Sequence, residues 1–189
     1  MSILTDKIPV FPKPLVAGDR IAIVSPAGYI DPKHVHAAVK ILEQQGWRPY
    51  IGEYALGRKG TYSGTDTERF QDLSVALKDP SVRAVICSRG GYGAVHILDR
   101  LDLLPVGNDP KWIVGFSDIS ALHALMARKG IVSVHAPMTK DIARGAQDPD
   151  IACLFDILRG KKPVHSFPAS RFDRPGLATG RLLGGNLAV

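Results

Sequence analysis

The chain has 189 residues, and its 24 lysine and arginine residues outnumber 18 aspartate and glutamate residues, which gives a formal net charge of +6. This length allows one complete domain and leaves little room for a second, since domains usually contain about 100–200 residues. A hydrophobic fraction of 45%, a charged fraction of 22% and a mean hydropathy of +0.02 are typical of a globular protein. They exclude a disordered or fibrous chain.

The sequence also limits where the protein acts and what it binds. No apolar run approaches the roughly 18–20 residues of a membrane-spanning helix, so we expect no membrane partner. Asp6 and two prolines interrupt the segment where an export signal would lie, which predicts a cytoplasmic protein. Basic residues are scattered, so we expect no nucleic-acid partner. Cys87 and Cys153 are the two cysteines, too few for a disulfide framework or a cysteine-based zinc site, and we expect neither a metal nor a cofactor.

Short apolar runs alternate with segments of helical periodicity along most of the chain. Residues 20–25 form an apolar, β-branched run, and residues 32–45 then carry Val35, Ala38 and Leu42 at helical spacing. The same reasoning predicts further strands over 48–54, 82–87, 112–115 and 132–135, and further helices over 66–78, 94–101, 118–128 and 151–159. In the helix over 66–78 the apolar positions are Phe70, Leu73, Val75 and Leu77.

This alternation predicts an α/β fold with a parallel sheet flanked by helices. Ligands of such folds bind beyond the carboxyl ends of the strands. We therefore expect functional residues in the loops that follow strands, namely 25–28, 88–93, 116–118 and 136–138.

The segment Val114-Gly115-Phe116-Ser117-Asp118 has the character of a nucleophile elbow, in which a strand passes through a tight turn directly into a helix. Such a turn exposes the serine, and the amide of the next residue, Asp118, points to where an oxyanion would form. Ile119 stands where the full pattern has a second glycine. The alternative interpretation is that Ser117 or Asp118 merely caps the helix.

A glycine-rich loop, Arg89-Gly90-Gly91-Tyr92-Gly93, follows the third predicted strand. Its glycines allow positive φ angles or a close approach to a ligand, and the amides of Gly90 or Gly91 could provide a second oxyanion donor. The spacing does not fit a dinucleotide fingerprint or a P-loop. A simple tight turn is the alternative.

Two histidines come near the predicted serine turn in sequence. His123 lies six residues after Ser117 on a predicted helix, about 600° of rotation away, so we expect it to face away from the serine and to pack against the domain. His135 ends the fifth predicted strand and could line the same crevice.

Several motifs in the same order resemble the LD-carboxypeptidase family of serine peptidases, which includes the microcin C self-immunity peptidases. The motifs are Arg89-Gly90-Gly91-Tyr92-Gly93, Leu101-Asp102, Gly115-Phe116-Ser117-Asp118-Ile119-Ser120-Ala121-Leu122-His123, His135-Ala136-Pro137-Met138 and Gly184-Gly185-Asn186-Leu187.

The resemblance implies a flavodoxin-like or class I glutamine amidotransferase-like N-terminal domain and a smaller C-terminal domain. It implies a Ser–His–Glu triad that cuts an amide bond between an L- and a D-amino acid in muropeptides or related peptide conjugates. Ser117 matches the nucleophile, and Asp118 and Gly91 match the positions whose amides form the oxyanion hole. We add Gly90, Tyr92 and His135 as oxyanion or substrate-binding candidates, and we expect a small peptide substrate and a homodimer.

In the family, the triad glutamate and histidine belong to segments that follow the Gly184-Gly185-Asn186-Leu187 motif, whereas this sequence ends at Val189. We therefore expect an N-terminal domain over 1–160, a linker over 161–175 and only the start of a C-terminal domain over 176–189. We also expect the isolated chain to have negligible peptidase activity.

Two other functions stay open at this point. The chain could be a non-catalytic peptide-binding module with an inherited cleft. It could also be a flavodoxin-like nucleotide or flavin binder, which the lack of a hydroxyl-rich phosphate loop after the first strand disfavours.

Overall fold

The computed structural model describes residues 9–101, 107 and 109–186. Five strands form one sheet in the order β2-β1-β3-β4-β5, and every neighbouring pair is parallel. This is the strand order of flavodoxin-like folds. The strands are β1 (Arg20–Val24), β2 (Arg48–Ile51), β3 (Val82–Cys87), β4 (Trp112–Gly115) and β5 (Val134–His135).

Helices cover both faces of the sheet. They are α1 (Pro32–Gln44), α2 (Asp66–Lys78), α3 (Val95–Leu101), α4 (Ser120–Arg128), α5 (Thr139–Ile142) and α6 (Pro149–Leu158). Because side chains alternate along a strand, Ala22 and Val24 of β1 pack with α2, α3 and α4, whereas Ile21 and Ile23 pack with α1, α5 and α6. The result is a three-layer α/β domain with two apolar cores.

The starts of three helices are specified locally by capping residues. Thr65 and Glu68 form a reciprocal capping box at the start of α2. Asp31 and Asp148 cap α1 and α6, and each is followed by a proline in the first helical turn.

Several predicted boundaries were wrong by one to three residues, and one short helix was missed. β2 ends at Ile51 rather than at residue 54, because the chain turns from Gly52 onwards, where Gly57 N–H donates to Tyr54 O. β5 begins at Val134 rather than 132, α6 begins at Pro149 rather than 151, and the single-turn helix α5 was not predicted.

The predicted core face of α2 was partly wrong. Leu73 and Leu77 are buried, but Val75 is 54% exposed, and Arg69, Asp72 and Ser74 are buried in its place. The buried side of this helix therefore carries polar side chains as well as apolar ones, which matters for the site.

After α6 the described chain, 159–186, contains no helix or strand and is largely exposed. Its most exposed apolar side chains are Val164, Phe167, Phe172, Leu177 and Leu182. The domain boundaries predicted at 160 and 175 stay predictions, and Asp102 and Leu187, which the sequence motifs include, lie outside the described residues. Within the described ranges, no helix combines the length and the apolar character needed to cross a membrane.

Candidate functional site

The loop after β4 places Ser117 on a strained turn. Ser117 has a φ of 61°, a left-handed conformation that a serine rarely adopts, and among the described residues no other non-glycine has a positive φ. Ser117 is the first residue of a short 3-10 turn, Ser117–Ile119, which leads into α4, and α4 begins two residues later than predicted. The predicted strained turn is confirmed, although Ser117 is half-buried rather than exposed.

Gly115 is required for this turn because Ile119 folds back over it. A Cβ at position 115 would lie 2.8 Å from Cγ2 of Ile119, closer than real Cβ contacts allow. The sequence reason for the sharp turn is therefore a missing side chain at the end of β4 and a buried isoleucine at the start of the next element.

The glycine-rich loop after β3 packs directly against the serine turn. A Cβ at Gly90 would lie 2.9 Å from Cβ and 3.1 Å from Oγ of Ser117, and 3.4 Å from the Asp118 nitrogen. Gly91 is exposed with a φ of +117° and lies next to Gly28 of the loop after β1. The Gly28 N–H donates to Gly90 O at 3.1 Å, so the loops after β1, β3 and β4 meet at one corner.

Buried hydroxyl groups hold the loops after β1 and β3 together beneath this corner. Ser25 Oγ donates to Ala55 O at 2.6 Å, and the Ser88 hydroxyl lies 2.6 Å from Ser25 Oγ, to which it can donate. Ser63 Oγ donates to Ser25 O at 2.5 Å and brings the segment before α2 over the same edge.

The Asp118 side chain is buried and points back to the glycine loop. Its Oδ2 accepts a hydrogen bond from the Ala94 N–H at 2.8 Å. Burial raises the pKa of this carboxyl above its usual value, and the Ala94 N–H, Arg69 and His96 act in the opposite direction. Asp118 is thus more than a candidate oxyanion amide, because its side chain also links the serine turn to the glycine loop.

Arg69 of α2 is the main residue of this corner that the sequence did not predict. It is 1% exposed, and its Nη1 donates to the carbonyl oxygens of Pro26 at 2.5 Å and Gly93 at 2.7 Å. Its Nη2 pairs with Asp66. An arginine on an amphipathic helix is normally on the solvent face, so no signal in the sequence could have indicated its burial.

The two candidate histidines have different surroundings. His123 packs against the domain, as predicted, but its ring is turned towards the end of β4 just before Ser117 and not away from it. Its Nε2 lies 2.8 Å from Gly115 O and its Nδ1 lies 2.8 Å from Ser133 Oγ. A carbonyl oxygen can only accept, so Nε2 carries the proton and Nδ1 accepts from the serine. Burial lowers the pKa of His123 below its usual value, and the hydrogen bond to Gly115 O acts in the opposite direction. His135 is exposed, and its ring lies 6.1 Å from Phe116 and 5.9 Å from His123.

The exposed rim of the corner is aromatic and basic. Tyr92 is 57% exposed and packs edge-on against His96 at 5.1 Å. Arg89 donates to Tyr29 O, and Arg58 lies 4.1 Å from the centre of the Tyr29 ring. Among the residues described by the structure, no group of three or more histidine, cysteine, aspartate or glutamate side chains could hold a metal ion.

The fold and this corner define a class of α/β protein that presents a serine on a strained turn beyond a parallel strand. The model of one family, the LD-carboxypeptidase N-terminal domain, matches residues 21–136. The chain belongs to the LD-carboxypeptidase family.

Relatives and a solved structure agree with this assignment. A putative carboxypeptidase of Synechocystis is 34% identical over 182 residues, which are 94% of this chain and 58% of the relative. The probable murein peptide carboxypeptidase of Bacillus subtilis is 32% identical over 183 residues, which are 94% of this chain and 57% of the relative. An MccF-like protein from Bacillus anthracis superposes with a TM-score of 0.77 at 27% identity, over 85% of this chain and 50% of that one. The chain thus spans a little under three fifths of these curated relatives.

Proposed function

We propose that this chain carries the nucleophile and the oxyanion-binding corner of a serine LD-carboxypeptidase, which hydrolyses the amide bond between an L- and a D-amino acid. One observation supports this most strongly: Ser117 adopts a left-handed φ of 61° beyond β4 while Gly90 packs against its side chain. Backbone strain of this kind costs on the order of 1–3 kcal/mol and is concentrated at functional sites. A helix cap would not need it.

The chemistry follows from these positions. The Ser117 hydroxyl would attack the carbonyl carbon of the L-residue, its proton would pass to a base, and an acyl-enzyme would form as the D-amino acid leaves with a proton. The Asp118 amide and an amide of the glycine loop, from Gly90 or Gly91, would stabilise the oxyanion. Water would then release the acyl group and restore the hydroxyl.

Neither His123 nor His135 is a good candidate for the base of this reaction. Both nitrogens of His123 are occupied by Gly115 O and Ser133 Oγ, and His135 is exposed beside Phe116. This favours the family resemblance, in which a histidine and a glutamate come from segments after the Gly184–Gly185 motif. It also supports a second candidate function for these 189 residues alone, namely non-catalytic peptide binding.

We propose murein-type peptides as the substrate class, because the Bacillus subtilis relative is named a probable murein peptide carboxypeptidase. Tyr92 of the glycine loop and His135, whose ring lies 6.1 Å from that of Phe116, are exposed and are proposed to contact the peptide. The predicted homodimer also stays a proposal, and light scattering on the purified chain tests it.

Release of D-alanine from an L,D-linked tetrapeptide tests the function. We expect negligible turnover by the 189-residue chain, because a serine without an adjacent base is a weak nucleophile. Fusion to the segment that follows the matched region in the Bacillus subtilis relative should produce turnover, and Ser117→Ala in the fusion should abolish it. Ser81→Ala serves as a control, because the Ser81 hydroxyl donates a hydrogen bond to Asp79 just before β3 begins, at the opposite end of the strand from the glycine loop.

The outcomes separate the two candidates. Turnover by the fusion that Ser117→Ala leaves intact would contradict the nucleophile assignment. Tight peptide binding by the 189-residue chain, combined with a well-folded but inactive fusion, would favour the non-catalytic binding module. Turnover by the unfused chain that depends on Ser117 would show that a base lies within these residues, and His135→Ala would then be the first variant to measure.

A further inference from the structure

One peptide group of the glycine loop is held at both ends by buried charged side chains. The Gly93 carbonyl oxygen accepts a hydrogen bond from Arg69 Nη1 at 2.7 Å, and the N–H of the same peptide group, that of Ala94, donates to Asp118 Oδ2 at 2.8 Å. Arg69 and Asp118 are each 1% exposed. The cation lies at the negative end of the peptide dipole and the carboxylate at its positive end, so both interactions favour the same orientation.

From this arrangement we propose that Arg69 is a positioning residue that, together with the Asp118 side chain, holds the glycine loop in place against Ser117. The inference rests on the proposed function, since it is the oxyanion donors of that loop that would be positioned. Arg69 is not proposed to contact the substrate.

The Arg69 guanidinium also links the glycine loop to the loop after β1. The same Nη1 donates to Pro26 O in the loop after β1, at 2.5 Å, while the Gly28 N–H of that loop donates to Gly90 O. Arg69 therefore contacts the glycine loop directly through Gly93 and indirectly through the loop that carries Gly28. The glycine loop belongs to no helix or strand, so its shape depends on contacts of this kind.

The absence of a side chain at Gly93 leaves the space that the Arg69 guanidinium occupies. It has a φ of +122°, and a Cβ at this position would lie 2.8 Å from Arg69 Nη1 and 2.8 Å from Cε1 of Tyr62. The guanidinium lies 5.0 Å from the centre of the Tyr62 ring. A fully buried arginine is costly unless its donors are used. Here Nη1 binds carbonyl oxygens of two loops and Nη2 pairs with Asp66, while Nε has no hydrogen-bond partner among the described residues.

Amide hydrogen exchange of the isotope-labelled 189-residue chain, followed by NMR, tests this role. The variants are Arg69→Met, which removes the charge, Arg69→Lys, which keeps a charged donor, and Asp118→Asn. Arg20→Met is the matched control, because Arg20 makes a half-exposed ion pair with Asp79 at the opposite end of β1.

We expect Arg69→Met to accelerate exchange of the Ala94 amide, which donates to Asp118, and of the Gly28 amide, which donates to Gly90 O, by about tenfold or more relative to Arg20→Met, while exchange in β3 is unchanged. Arg69→Lys should restore most of the protection, since one ammonium can donate to both carbonyls. Asp118→Asn should accelerate exchange at Ala94 and move its amide proton upfield.

A smaller acceleration, or one that is equal in β3 and in the loop, would overturn the proposal. If Arg69→Met does not fold, Arg69→Gln takes its place as an uncharged variant that keeps a polar donor: Gly28 and Ala94 amides as protected as in the control, both in this variant and in Asp118→Asn, would overturn the proposal. Because exchange does not require catalysis, this result is independent of the Ser117→Ala assay. The proposed function can fail while the positioning role stands, and the reverse is also true.

Discussion

Replacing Gly90 with alanine tests how closely the glycine loop and the serine turn are packed. The new Cβ would lie 2.9 Å from Cβ and 3.1 Å from Oγ of Ser117. Carbon atoms attract one another best at about 3.5–4.0 Å, so the added methyl group overlaps a side chain that its own backbone prevents from moving away. Overpacking of this kind costs about 1–3 kcal/mol, and we expect Gly90→Ala to lower the free energy of unfolding by that amount.

A double-mutant cycle with Ser117→Gly isolates this contact. Without the serine side chain, the nearest atom to the new Cβ is the Asp118 nitrogen at 3.4 Å, which is close to ordinary contact. Gly90→Ala should then cost less than about 0.5 kcal/mol, which leaves a coupling energy of about 1–3 kcal/mol. Alanine also gives the unfolded chain less conformational entropy than glycine does, but this effect is equal with and without the serine side chain and cancels in the coupling energy.

Urea unfolding followed by the fluorescence of Trp47 and Trp112, both buried, measures these free energies. Gly180→Ala is the control, because nothing lies within 4 Å of a Cβ at that position. Additivity of Gly90→Ala and Ser117→Gly within about 0.5 kcal/mol would refute the close packing of the two loops.

Three further predictions concern the turn, a buried carboxyl and the tail. Ser117→Gly should be about 1 kcal/mol more stable than Ser117→Ala in urea, because glycine alone relieves the left-handed backbone, and equal stabilities would contradict the strain. Burial raises the pKa of Asp72 from 3.8 to about 6, so the folded state binds the carboxyl proton more tightly than the unfolded state does. The charged carboxylate therefore destabilises the fold, and this effect is largest above pH 6. The stability of Asp72→Asn relative to the unmutated chain should therefore rise by on the order of 2–3 kcal/mol between about pH 4 and pH 8, and a difference that does not change with pH would show that the pKa is ordinary. Removal of 161–189 should reduce binding of a hydrophobic dye and leave the urea midpoint unchanged, since the tail exposes its apolar side chains; an unchanged dye signal would contradict this.

Periodicity was sufficient to predict most of the fold. Strands and helices of five to thirteen residues, such as β1 and α1, have enough apolar positions to show their period. The helix α5 has four residues, too few to show one, and β2 ends where Gly52 passes close to Asp72, a tertiary contact that the local sequence does not contain.

Those parts of the site that depend on neighbouring residues could be predicted from the sequence, whereas those that depend on contacts between distant residues could not. The serine turn follows from neighbouring residues, since Gly115 and Ile119 are four positions apart. Its pairing with the glycine loop came from the family resemblance, because Gly90 and Ser117 lie in separate strand-to-helix connections. Arg69 escaped prediction because its partners, the carbonyls of Pro26 and Gly93, are 43 and 24 residues away.

The strand order of the sheet also affects how the protein is made. Strand β1 lies between β2 and β3, and Arg20 at its start pairs with Val82, which is synthesised about 60 residues later. At about 5–20 residues per second, the ribosome needs several seconds to make that second neighbour. During this time one edge of an apolar strand has no partner, and such edges favour association with other chains. Expression at lower temperature, or with chaperones that bind extended apolar segments, should therefore increase the soluble yield of this chain more than that of a helical protein of equal size.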